Sequence, residues 1–110
     1  MNSEEHRKLA LEIIKNIEGW ELSDSCKLMP YSIVARQDKY AITFYKERGM
    51  LKVIMFLHPD VFVDTKIDYP KHTVRVHLWT RPGLGARILQ ERLIPKVVAS
   101  TDKLLEGDLQ

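Results

Sequence analysis

Residues Val74–Gln90, VRVHLWTRPGLGARILQ, decide how this chain is read. Up to Thr80 the pattern alternates, placing Val74, Val76 and Leu78 on one face of a strand and Thr73, Arg75, His77 and Trp79 on the other. From Leu84 the apolar spacing turns helical, through Ile88, Leu89, Leu93, Val97 and Val98. The corner between them, Arg81-Pro82-Gly83-Leu84-Gly85, has two readings. As an anion cradle it would use the open amides and positive dipole end of a helix, with Arg81 and Arg87 alongside. But it lacks the Lys-Ser/Thr of a phosphate-binding loop and the third glycine of a dinucleotide fingerprint. Thr80 as N-cap and Pro82 in the first turn predict an ordinary exit from strand to helix.

Working backward, YSIVARQ, KYAITFYKE and MLKVIMFLHP are rich in β-branched and aromatic residues, with turn-like QDK and ERG between them. A hairpin over Arg48-Gly49 pairs Tyr45 with Lys52 and Phe44 with Val53. That register puts Tyr40, Ile42, Phe44, Val53, Met55 and Leu57 on a core face. Ala41, Thr43, Tyr45, Lys52, Ile54 and Phe56 take the other. The stretch Trp20–Pro30 has room for a short strand, and the connection HPDVFVDTKIDYPKH for a short edge strand around Val61–Thr65. At the N-terminus, Ser3 with Glu4 and Glu5 starts a helix carrying Leu9, Ala10, Ile13, Ile14 and Ile17, which Gly19 closes. Pro95 must kink or divide the C-terminal helix, which Leu104 and Leu105 continue. Residues 1–110 therefore read as a single α+β domain. It is a two-layer sandwich in which an antiparallel sheet of four or five strands carries the N-terminal and C-terminal helices on one face.

Composition narrows the function. A formal charge of +2 permits contact with nucleic acid without demanding it, because dedicated binders concentrate far more positive charge. Cys26 is the one cysteine, so neither an internal disulfide nor a thiolate zinc site is expected, and a reducing compartment fits. MNSEEHRKLALEIIKN carries charge every few residues and reads as no signal peptide. No apolar run approaches the roughly eighteen residues that a membrane span needs. The expectation is a soluble, cytoplasmic protein with no membrane partner.

Two helices blanket one side of a sheet, which leaves the second side to be accounted for. It carries Tyr45, Ile54, Phe56, His77 and Trp79 together with Lys52 and Arg75. Burying each large apolar side chain against a partner contributes roughly 1.5–3 kcal/mol. Aromatics with Arg and His are the residue types enriched where partners dock. The competing expectation is that the Val61 segment, the Trp20–Pro30 connection or a terminus folds across this face.

Other constellations carry less. Of His6, His58, His72 and His77, no pair has the helical spacing of a zinc protease, and His72 and His77 project to opposite faces of one strand. No metal or cofactor is called for. PDVFVDTK contains Pro59-Asp60 and Asp64-Thr65-Lys66, the elements of a metal-dependent nuclease pattern. Both acids, however, would sit on one short segment where that pattern needs two well-separated strands. Cys26, Ser23 and Ser25 have no neighbouring base that would make a nucleophile. On the C-terminal helix, Arg87 with Glu91 makes an i, i+4 pair. The expected function is a non-enzymatic interaction module that self-associates, as a homo-oligomer, or holds a protein partner through the helix-free face. The alternative is nucleic-acid binding by the same face, with Lys71, Arg81 and Arg87 as anion contacts. A nuclease-like enzyme is a distant third.

Overall fold

Apolar residues three and four apart make the first helix, and acids at its start with a base at its end suit the helix dipole. In the computed structural model this is α1, Glu4–Asn16, with Leu9, Ala10, Ile13 and Ile14 buried. The structure describes residues 4–23, 32–57 and 70–108, with side chains to 104. Ser3, Ser25, Cys26, His58, Asp60, the Val61–Thr65 segment, Lys66 and the side chain of Leu105 lie outside the described residues. Helix α1 stops at Asn16, and Gly19 turns the chain at a φ of 84°, in the left-handed region that favours glycine.

Five strands follow: β1 (Glu21–Leu22), β2 (Ser32–Gln37), β3 (Tyr40–Glu47), β4 (Met50–Leu57) and β5 (Lys71–His77). They lie side by side in chain order and pair antiparallel throughout. The hairpin over Arg48-Gly49 has the expected register, Tyr45 against Lys52 and Phe44 against Val53, with Gly49 at a φ of 69°. Because side chains alternate, that register carries Ile42, Phe44, Val53 and Met55 together into the core, all fully buried. Ile33 and Ala35 join them from β2.

The helices lie on that core side. Helix α2 (Pro82–Ile88), a π-helical turn (Leu89–Leu93) and α3 (Ile94–Asp108) run on without a break and bury Ala86, Leu89, Leu93 and Val97 against α1 and the sheet. At Pro95 the regular α-helical ladder is divided by the π turn. The Ile94 amide donates to the Leu89 carbonyl, five residues back, and Pro95, which has no amide to donate, falls in the first turn of α3.

Two expectations at the corner need correction. Strand β5 ends at His77, not near Thr80, because the Thr80 amide folds back onto the His77 carbonyl at 3.0 Å. That turn draws the Thr80 side chain inward, where it is buried, and the cap position passes to Arg81, which makes no side-chain cap bond. Gly85 has its own reason. It is buried, and a Cβ there would stand 2.9 Å from Ile13 Cδ1 and 3.1 Å from Ile13 Cγ1. The glycine lets α2 press against α1. Its amide is spent on the Arg81 carbonyl at 2.9 Å, closing the first helical turn.

Candidate functional site

The side of the sheet turned away from the helices is assembled row by row from the pairing. Glu47, Met50 and His77 form one row; Ser32, Tyr45, Lys52 and Arg75 the next; then Val34, Thr43, Ile54 and Thr73; then Arg36, Ala41, Phe56 and Lys71. Solvent reaches these rows unevenly. Over β2 and β3 the surface is closed: Val34 is 3% exposed and Thr43 is 1% exposed. Tyr45, Lys52, Ile54 and Phe56 are half-buried, while Lys71, Thr73, Arg75 and His77 on β5 are exposed. The face is therefore not uniformly open. Its open part is the β4–β5 half.

Trp79 belongs to the rim of this surface. It sits in the turn just past β5 and is 80% exposed, the largest apolar side chain left so open among the described residues. Its indole stacks on the His77 imidazole, with centroids 5.1 Å apart and planes 16° apart. On its other side it borders an open groove of about 540 Å³ shared with Glu5, Lys8, Leu9, Gly49 and Leu78. Trp79 thus stands between the sheet face and a cleft against α1.

Charge is organised around the same strand. Arg75 reaches diagonally across β4 to Glu47, with Nε donating to Oε2 at 2.9 Å and a longer Nη2 to Oε1 bond at 3.5 Å. The pair is partly exposed, where such bridges contribute about 0–1 kcal/mol, so it orients Arg75 more than it stabilises the fold. Sequence reasoning misses Glu47, although a signal exists: it lies two residues beyond Tyr45 on the same face of one strand. The backbone of Glu47 is also engaged: its carbonyl accepts from Nε2 of buried His6 at 2.7 Å, tying α1 to the hairpin.

The three candidate anion contacts do not converge into a built site. Arg81 and Lys71 are exposed on different elements. Arg87 donates to Glu91 at 2.8 Å, the i, i+4 pair expected from the sequence, and that bond with the carboxylate's charge raises its pKa. Among the described residues no group of three or more His, Cys, Asp or Glu side chains is placed to hold a metal ion. No described helix is long and apolar enough to cross a membrane. No family model matches this sequence, and no curated protein or solved structure matches it.

Proposed function

We propose that this protein is a non-enzymatic interaction module, docking a protein partner or a second copy of itself on the β4–β5 half of its helix-free sheet face. Trp79 is the observation that carries the reading: an indole that is 80% exposed and stacked on the His77 imidazole. A rigid aromatic loses little conformational entropy on docking and buries a large area, which is why such residues anchor interfaces. Half-buried Ile54 and Phe56 extend the apolar ground behind it, with Lys52 and Arg75 at the rim.

Nucleic-acid binding is the second reading, favoured by the same stacked pair, since exposed rings accept bases. Against it stands the modest formal charge of +2, since dedicated nucleic-acid binders concentrate far more positive charge. Solution mass measured at two salt concentrations, with and without single-stranded DNA, separates them. Apolar association holds or strengthens with salt, whereas binding to phosphates falls steeply. Steep loss of binding with salt, together with capture of the DNA, would sink the protein-docking reading.

A further inference from the structure

We propose that the outer edge of β5 accepts an extended acidic segment of a partner protein as a sixth strand of the sheet. This deepens the reading above and rests on it, adding the docking mode and the chemistry of the partner.

The backbone supplies the first part of the argument. Among the described residues β5 pairs only with β4 and forms the edge of the sheet. The Leu78 amide donates to the Gly49 carbonyl at 3.3 Å, one step beyond the Met50–His77 pair. In an antiparallel ladder bonded and non-bonded pairs alternate. Val76 opposite Leu51, Val74 opposite Val53 and His72 opposite Met55 therefore turn their main-chain groups toward β4. His77, Arg75, Thr73 and Lys71 turn theirs outward. The His77 carbonyl agrees with that assignment, because it points away from β4 and accepts from Thr80 at 3.0 Å. What remains at the edge is the amide and carbonyl of Lys71, Thr73 and Arg75, bounded upstream by Pro70, which has no amide, and downstream by the turn. An extended chain can pair with that stretch.

Charge selects the occupant. Lys71 and Arg75 are exposed on β5 and Lys52 lies beside Arg75 on β4; Glu47, in the neighbouring row, bridges Arg75, and Glu21 shares the row of Lys71 from the opposite edge of the sheet. A second copy pairing antiparallel about Thr73 would set Lys71 against Arg75, and about Val74 would set Lys71 against His77. The first opposes two cations and the second gives the lysine no acid, which is how natural sheet edges discourage self-pairing. A strand with carboxylates at alternate positions meets Lys71 and Arg75 instead. The stacked His77 and Trp79 rings at the end of the edge offer its apolar residues a surface.

The test uses the full chain with three probes: a short capped peptide alternating glutamate with valine, its lysine-for-glutamate counterpart, and a single-stranded oligothymidylate. Affinity is read by fluorescence anisotropy, and folding by circular dichroism and melting. The glutamate peptide is expected to bind at least about tenfold more tightly than the lysine peptide. Thr73→Pro removes an outward amide that β4 does not use, so it should keep the fold and weaken the glutamate peptide by about tenfold or more. Lys71→Glu combined with Arg75→Glu, both at exposed sites, should invert the preference toward the lysine peptide. A folded Thr73→Pro protein that binds as before overturns the proposal. So does an unchanged preference in the charge-reversed variant, or binding of neither peptide, or displacement of the glutamate peptide by oligothymidylate. Failure here with Trp79→Ala still weakening association removes the edge while the face reading survives; failure of both removes the surface.

Discussion

His77 and Trp79 stack with centroids 5.1 Å apart and planes 16° apart, although one ends a strand and the other lies in the turn beyond it. The strand's twist and the Thr80–His77 turn bring the two rings together where neither is packed in the core. An aromatic pair of this kind contributes about 0.5–1.5 kcal/mol when buried. In the open it orients the indole, and this separates a docking residue from a folding residue.

Trp79→Ala should therefore leave folding stability within about 0.5 kcal/mol of the parent while weakening association. Sedimentation and thermal melting measured on the same samples check it. Phe56→Ala, at a half-buried position, should weaken association too, at a larger cost in stability. If both variants merely unfold, the side chains belong to the fold and not to a partner.

Amide exchange should alternate along β5. Val74 and Val76 are expected to exchange slowly because their amides are held by β4, while Thr73 and Arg75 exchange near the rate of open chain. Residue-resolved hydrogen exchange decides this. Protection at Thr73 in the free protein would mean that the edge is already occupied.

The two glycines of the corner should respond oppositely. Gly85→Val drives a side chain into Ile13 and should cost about 1–3 kcal/mol in denaturant unfolding. Gly83 has nothing within 4 Å of a Cβ placed on it, so Gly83→Ala should raise stability by about 0.4–1 kcal/mol. Equal effects at both positions would refute the packing role assigned to Gly85.

Stability should fall at alkaline pH through Tyr40. Burial, and next the Asp102 carboxylate on α3, hold its phenol above the ordinary value of 10.0. The unfolded chain then ionises first. The contribution is complete below about pH 10 and is lost as pH rises through the folded-state value. A near-ultraviolet titration should find one of the four tyrosines ionising late, and Tyr40→Phe should flatten the alkaline loss of stability. A late-titrating tyrosine that persists in Tyr40→Phe would count against this.

Local features are legible in the residues themselves. Alternation in KYAITFYKE and MLKVIMFLHP, joined by a two-residue turn, leaves only one register that gathers the apolar residues on one face. The helical spacing of Leu9, Ile13 and Ile14 is equally plain. The candidate site is legible only in parity. Lys52, Arg75 and His77 fall on the helix-free side, as their spacing predicts, because alternation is a property of the single strand. For Trp79 the same alternation predicts a place on a strand that in fact ends before it, since a turn closed by one backbone bond leaves little trace in composition.

The chain's own pattern determined where the main helices and strands lie and which face most strand side chains take, because periods of 3.6 and 2 arise from bonds between near neighbours. Contacts between distant segments decided the rest. They left Val34 and Thr43 buried on the helix-free face, and drew Arg75 across β4 to Glu47. They also gave Gly85 its work against Ile13 and, among the described residues, left β5 paired on one side. Such pairings depend on how whole layers stack in three dimensions, and no short window of sequence records that distance.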